Sequence, residues 1–290
     1  MKLQINPNTL LNIKDQVVLI TGSSSGIGKA TATLCLQHGA EVIAGDLHPP
    51  KDSLPTTGEL FFLHTNVTDW TSLRALFIQG HARFGRIDHV FANAGIGPRG
   101  NFLEETFDEE GLLAPPVLST IEINLLSVIS TVRPGVHYLS KEPPSATGQR
   151  SIVLSASASS MQNFCAADYT TSKHGVLGIL RGLTDDLVVA SCGVRLNAVA
   201  PSWTATGLVP REVIEGLGAK VQESEAVARG VLSLFCGTER HGELVYIWDS
   251  RYFEINKVEG GLLDAALKVL PLPVSEDEIM RRLKKAVGGS

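Results

Sequence analysis

The chain has 290 residues, 43% hydrophobic and 19% charged, with a formal net charge of −5. That is enough apolar material for one large α/β core, and the acidic balance argues against nucleic acid or an acidic membrane surface as the main partner. Cys35, Cys165, Cys192 and Cys236 are scattered without a CxxC pair, and the eight histidines show no HExxH spacing, which argues against a disulfide scaffold or a metal site and favours a reducing, cytoplasmic setting.

Met1–Gln16 lacks the basic region and apolar core of a signal peptide, and no apolar run approaches membrane-spanning length. Strand-like and helix-like segments then alternate. Gln16–Thr21 reads as a strand and Ile27–His38 as a helix ended by Gly39. Glu41–Asp46 and Leu60–Thr65 read as strands, Trp70–Phe84 as a helix and Asp88–Ala92 as a strand. A long helix is expected over Val117–Ser140, a strand over Ser151–Ser157 and a helix over Ala167–Ser191. Val194–Val199 (strand), Gln222–Cys236 (helix) and Glu243–Trp248 (strand) complete the series. This alternation implies parallel βαβ units and a doubly wound α/β sheet of about seven strands with helices on both faces. Residues 1–250 are expected to form one dinucleotide-binding and catalytic domain. Residues 251–290 are expected to form a helical extension packed on it, with helices over Gly260–Leu270 and Ser275–Val287. The Ser275–Glu278 pair fits a capping box there. Lys141–Arg150, with Pro143 and Pro144, reads as a surface loop.

Thr21-Gly22-Ser23-Ser24-Ser25-Gly26-Ile27-Gly28 joins the first strand to the first helix. Glycines there permit a tight turn and a close approach of backbone to a pyrophosphate, and the helix N-terminus offers free N–H groups. Asp46 ends the second strand, where a carboxylate can accept hydrogen bonds from ribose hydroxyls and repel a 2′-phosphate, favouring NAD over NADP. Tyr169 and Lys173 stand four apart in a helical stretch, hence on one face. Phenol and ammonium titrate at about 10 and 10.4 in model peptides, and a positive neighbour lowers the phenol. A tyrosine so tuned can exchange a proton with an alcohol or carbonyl oxygen.

Together these pieces resemble the short-chain dehydrogenase/reductase family over roughly Lys14–Trp248. Thr21–Gly28 is similar to its TGxxxGxG turn, and Asn66-Val67 with Asp69 to its adenine-contacting segment. Asn93-Ala94-Gly95 is similar to its NAG motif and Asn124 to its helix asparagine. Tyr169 and Lys173 match YxxxK, and Pro201–Thr206 is similar to PGxxxT, with Ser202 where Gly is usual. The family serine sits at the end of the fifth strand. Ser157, twelve residues before Tyr169, matches best, and Ser155, with the same strand parity, is the alternative.

The resemblance implies catalysis by Asn124, Ser157, Tyr169 and Lys173. It places NAD against Gly22, Ser24, Ser25, Gly26, Ile27 and Gly28, then Asp46, Leu47, Asn66 and Val67. Asn93, Ala94, Gly95, Tyr169, Lys173, Pro201, Trp203, Thr204 and Thr206 complete the set. Tyr169 would be the general acid/base, Lys173 would lower its pKa, Ser157 would orient the substrate oxygen and Asn124 would fix a water beside Lys173. The implied reaction interconverts a secondary alcohol and a ketone on a medium-sized apolar small molecule. The alternatives are a non-redox isomerase, cyclase or eliminase on the same fold, or a dinucleotide-binding regulator. Phe102, Phe107, Met161, Phe164, Trp203 and Leu208 are expected to line the substrate pocket. Asp46 and the last strand are similar to the NAD-dependent 15-hydroxyprostaglandin dehydrogenase-like branch, and the overall style to fungal enzymes of specialised metabolism. Gly175, Gly178 and Gly182 recur on one helix face at about 1 kcal/mol each relative to alanine. They point to close packing of that helix, and by resemblance to a homodimer or homotetramer.

Overall fold

Buried apolar strands alternate with helices, so the sheet must be covered on both faces. The computed structural model describes residues 1–55, 57–141, 150–207, 211–269, 278–280 and 282. The first half runs β1 (Lys2–Leu3), α1 (Pro7–Leu10), β2 (Val17–Thr21), α2 (Gly26–Gln37), β3 (Glu41–Asp46), β4 (Leu60–His64), α3 (Trp70–Phe84) and β5 (His89–Ala92). A long excursion leads to α4 (Ser119–Ile121), a π-helical turn (Glu122–Leu126) and α5 (Ser127–Lys141). Then follow β6 (Ser151–Ser155), α6 (Ala167–Val189), β7 (Arg195–Pro201), β8 (Thr204–Ala205), α7 (Arg211–Gly216), β9 (Gln222–Glu223), α8 (Ser224–Cys236), β10 (Leu244–Trp248), β11 (Arg251–Glu254) and α9 (Leu262–Val269).

The main sheet has nine strands in the order β1-β11-β10-β7-β6-β5-β2-β3-β4. The seven from β10 to β4 are parallel. The strand order reverses between β2 and β5, and the crevice at the carboxyl ends of such a pair is where doubly wound sheets bind ligands. Leu34, Leu36, Val231 and Phe235 of α2 and α8 pack on one face. Leu76, Phe77, Val132, Val176 and Leu180 of α3, α5 and α6 pack on the other.

Two antiparallel strands enlarge the seven expected. β11 turns back on β10 through Asp249 and Ser250, whose φ values are +51° and +58°. Such turns ordinarily advertise themselves with Asn-Gly or Asp-Gly, and this one has neither glycine nor asparagine. β1 then pairs with β11; two residues are too few to show a period. Three expected boundaries also move. β6 ends at Ser155, the long helix before it begins at Ser119 rather than Val117 and is interrupted by the π-turn, and Gln222–Glu223 is a strand beside β8 rather than helix. α9 falls within the expected Gly260–Leu270. Most of Ser275–Val287 and of the Lys141–Arg150 loop lies outside the described residues. Among the described residues no helix is long and apolar enough to cross a membrane.

Candidate active site

The glycine turn is held from below. Gly22 and Gly26 adopt φ of +67° and +49°, which side chains rarely tolerate. Asn93 Nδ2 donates to the carbonyls of Thr21 (3.1 Å) and Gly22 (3.0 Å), and the Asn93 N–H donates to Thr21 Oγ1 (3.1 Å). This clamp ties the end of β5 to the end of β2. A Cβ at Gly28 would overlap the Gly22 carbonyl oxygen and stand 2.6 Å from Asn93 Nδ2. Ser25 caps α2 without a side-chain hydrogen bond, so the first N–H groups of α2 face outward. The hydroxyls of Ser23 and Ser24 are buried without a hydrogen-bond partner. Free helix N–H groups, two unpartnered hydroxyls and a surface stripped of side chains fit the pyrophosphate of a dinucleotide.

Asp46 lies one strand away. Its Oδ2 accepts from the Ser24 N–H (2.9 Å) and its Oδ1 from the His48 N–H (3.4 Å). Leu47, Asn66 and Val67 line the same end of the cavity. Asn66 Oδ1 accepts from Thr68, through both its N–H (3.1 Å) and its hydroxyl (2.8 Å). Pro201, Trp203, Thr204 and Thr206 line the cavity as well, with Ile27, Ala94 and Gly95. Thr204 Oγ1 donates to the Ser202 carbonyl (2.7 Å), and Thr206 packs over Gly26.

Tyr169 and Lys173 occupy consecutive turns of α6. Lys173 is buried, its ammonium donates to the Ser155 carbonyl (2.8 Å) and lies 5.7 Å from the centre of the Tyr169 ring. Burial brings the lysine down to about 8. The Tyr169 phenol is pushed up by burial, while a hydrogen bond with the Ser157 side chain pulls it the other way. The expected lowering by Lys173 is therefore not the dominant influence on the phenol; its burial is. Ser157 is the residue whose hydroxyl meets Tyr169. It also begins a short 3-10 turn over Ala158–Ser160, accepting from the Ser159 N–H (3.2 Å) while its own N–H donates to Ser160 Oγ (3.1 Å). Ser155 instead contributes its backbone carbonyl to Lys173. Asn124 is buried at the π-turn, a feature often found at functional sites. Its Oδ1 accepts from the Ile96 N–H (2.8 Å) and its Nδ2 donates to the Ile96 carbonyl (2.9 Å). The side-chain amide is spent on backbone, so what it holds in place is Ile96.

A cavity of 440 Å³ runs from Asp46 past Tyr169 to Val221. The short chain dehydrogenase family model matches residues 16–214. The chain belongs to the short-chain dehydrogenase family. It is 38% identical over 289 residues to the short-chain dehydrogenase/reductase ascJ of Acremonium egyptiacum, covering 99% of this chain and 96% of that one. It is 27% identical to the NAD(+) 15-hydroxyprostaglandin dehydrogenase of Rattus norvegicus, over 83% of this chain and 94% of that one. The crystal structure of levodione reductase superposes with a TM-score of 0.65 at 25% identity, over 81% of this chain and 96% of that one. The chain is thus an oxidoreductase of a family that binds a nicotinamide dinucleotide and acts on small molecules.

Against this family frame the pocket lining departs from expectation. Of the six side chains expected there, Phe164 and Trp203 line the cavity, their rings 5.9 Å apart, with Phe164 6.0 Å from Tyr169. Phe102 and Phe107 face solvent, Met161 packs against the core and Leu208 lies outside the described residues. Ile96, Pro98, Gln162, Asn163, Ile214 and Val221 take their place. Nothing in the residue types of Pro98, Gln162 and Asn163 marks them as pocket lining.

Proposed function

We propose that this chain interconverts a secondary alcohol and a ketone on a medium-sized, largely apolar molecule, using NAD(H). The observation that carries this reading is Ser157 and Tyr169 together on the cavity wall, with the buried Lys173 ammonium 5.7 Å behind the Tyr169 ring. Ser157 holds the substrate oxygen and aligns it with the phenol. Tyr169 accepts the alcohol proton during oxidation and returns one to the carbonyl oxygen during reduction. Lys173 supplies the positive charge that favours the phenolate when the proton leaves. Asn124 holds the Ile96 segment in place. Gly22–Gly28, Asn93 and Thr206 would cradle the dinucleotide, which when bound supplies the hydride acceptor or donor. Ile96, Pro98, Phe164, Trp203, Ile214 and Val221 make an apolar surround, while Gln162 and Asn163 can meet a second polar group on the substrate.

Asp46 supports NAD: with its carboxylate on the Ser24 N–H, a 2′-phosphate would meet like charge. A panel of cyclic and aryl-alkyl secondary alcohols, followed by NADH absorbance and product mass, tests the reading. NADH formation matched by ketone is expected, with higher kcat/KM for NAD than for NADP. Asp46→Ala should shrink that preference at least about tenfold, about 1.4 kcal/mol. Product formed without NADH change would favour the non-redox reading, and a wild-type preference for NADP would overturn the cofactor assignment.

A homodimer through the α5–α6 face fits the glycines of α6. Gly175 packs inside the chain, where a Cβ would stand 2.6 Å from Leu125. Among the described residues Gly178 and Gly182 have nothing within 4 Å of such a Cβ, leaving a smooth face that suits a partner helix. Trp70, Ile78 and Ile129 are exposed along the groove beside Gly182. Light scattering should find a wild-type dimer and an Ile129→Glu monomer; a monomeric wild type at micromolar concentration excludes the assignment.

A further inference from the structure

We propose that Asp168 is a positioning residue that sets substrate affinity by knotting the 99–120 excursion to the helix that carries Tyr169. The inference rests on the reading of Tyr169 above and adds to it a determinant of specificity.

Asp168 is fully buried. Its Oδ2 accepts from the N–H groups of Arg99 and Gly100, both at 2.8 Å, and its Oδ1 accepts from the Tyr169 N–H at 2.7 Å. An aspartate in the first turn of a helix ordinarily serves that helix alone. Here two of three donors belong to a segment almost seventy residues earlier. Burial alone would raise this carboxyl, but the three N–H groups and the nearby Thr120 hydroxyl outweigh burial and hold it below its ordinary value. Thr120 stands at the far end of the same excursion, where its buried hydroxyl makes no hydrogen bond among the described residues, so the far stem meets this knot by packing rather than by a hydrogen bond. The stems also touch: a Cβ at Gly100 would stand 2.8 Å from the Val117 carbonyl oxygen and 3.6 Å from Asp168 Oδ2.

Between the stems the chain is ordered on itself. Phe107 and Leu113 form an antiparallel bridge. The Asp108 N–H donates to the Leu112 carbonyl (2.9 Å), and the Ala114 N–H donates to that of Thr106 (2.8 Å). Asp108 Oδ1 accepts from Glu110 and Leu112. The unit carries Phe102, Leu103, Phe107, Leu112 and Leu113 exposed to solvent. Its proximal stem continues into Ile96, Gly97 and Pro98, which line the cavity. That wall is pinned at Ile96 by Asn124 and at Arg99–Gly100 by Asp168. With the second pin loosened, the wall loses its register against Tyr169 while the glycine turn, some seventy residues earlier and held by Asn93, is untouched.

Asp168→Asn retains the volume and one acceptor for Tyr169 but replaces the oxygen that serves Arg99 and Gly100 with a donor. Kinetics with the best alcohol from the panel above should show substrate KM raised at least about tenfold. The kcat and the NAD dissociation constant, read by tryptophan fluorescence, should stay within about twofold. Hydrogen exchange at Arg99 and Gly100 should accelerate, a readout independent of turnover. Asp168→Glu, which can keep both acceptors, should recover part of the lost affinity. Gly100→Ala leaves the carboxylate intact and pushes the stems apart, so it should reproduce the rise in KM even if Asp168→Asn does not fold. Unchanged substrate KM and unchanged exchange in either folded variant overturn the inference, as does a parallel loss of NAD affinity, kcat and thermal stability. Absence of NADH formation by the wild-type chain with every alcohol would instead sink the underlying activity, and the exchange rates would still decide the knot.

Discussion

Replacing Tyr169 by Phe should lower kcat/KM by roughly 10²–10⁴-fold, the usual contribution of a positioned general acid/base, and leave dinucleotide affinity near that of the parent. The substitution keeps the ring against Phe164 and Lys173 and removes only the hydroxyl that Ser157 engages. Steady-state rates with fluorescence-monitored dinucleotide binding check both halves. Near-normal turnover would assign the proton to another group. The pH dependence carries a sign. Burial holds the Tyr169 phenol above its ordinary value and Lys173 at about 8. Alcohol oxidation needs the proton-accepting phenolate, so kcat/KM should rise with pH through the neutral and alkaline range. Ketone reduction needs the phenol, so it should hold level through the neutral range and fall only in the alkaline range. Below about 8 Lys173 is an ammonium that favours phenolate, and Lys173→Met, lacking that charge, should move the rising limb to higher pH. A limb displaced to lower pH would contradict the electrostatic role.

Gly28→Ala should reduce dinucleotide affinity by about 100-fold or more, about 2.7 kcal/mol, and lower thermal stability. The added methyl would overlap the Gly22 carbonyl oxygen and crowd Asn93 Nδ2. Neither neighbour can retreat easily. Gly22 accepts from Asn93, and Asn93 is bound at the same time to Thr21. Overpacking a site this rigid costs roughly 1–3 kcal/mol or more, and relief must come from the turn that fits the pyrophosphate. Gly216→Ala is the control: a Cβ there meets nothing within 4 Å among the described residues, so affinity and stability should stay near the parent values. Titration calorimetry and thermal unfolding of the two variants separate the cases. Equal affinities in both would mean that the close approach at Gly28 is not part of the dinucleotide cradle.

The parallel sheet was legible because its signals are short-ranged. Each of the seven strands is an apolar run, and each major helix closes with a glycine, loop or charged segment that can be read within a few residues. The same holds for the glycine turn and for the Tyr169–Lys173 spacing, which depend on local backbone geometry. β11 escaped because a hairpin turn of Asp249 and Ser250 carries none of the usual glycine signal, and β1 because pairing with a distant strand is its only support. Ser155 and Ser157 were indistinguishable by parity; what separates them is that the strand ends at Ser155 and Ser157 opens a turn facing Tyr169.

The candidate pocket shows the same division from the other side. Phe102 and Phe107 have the character of pocket residues but stand on an excursion that folds back through the Phe107–Leu113 bridge and leaves them in solvent. Pro98, Gln162 and Asn163 line the cavity although nothing in their residue types demands it. By itself, then, the sequence determined the fold class, the glycine turn and the spacing of Tyr169 and Lys173, because hydrophobic period, glycine geometry and helical repeat act over a few residues. The tertiary structure alone decided which side chains line the cavity, and that Asp168 gathers Arg99, Gly100 and Tyr169 on one carboxylate. Those outcomes depend on how segments tens of residues apart share a buried hydrogen-bonding group, and no local pattern encodes that.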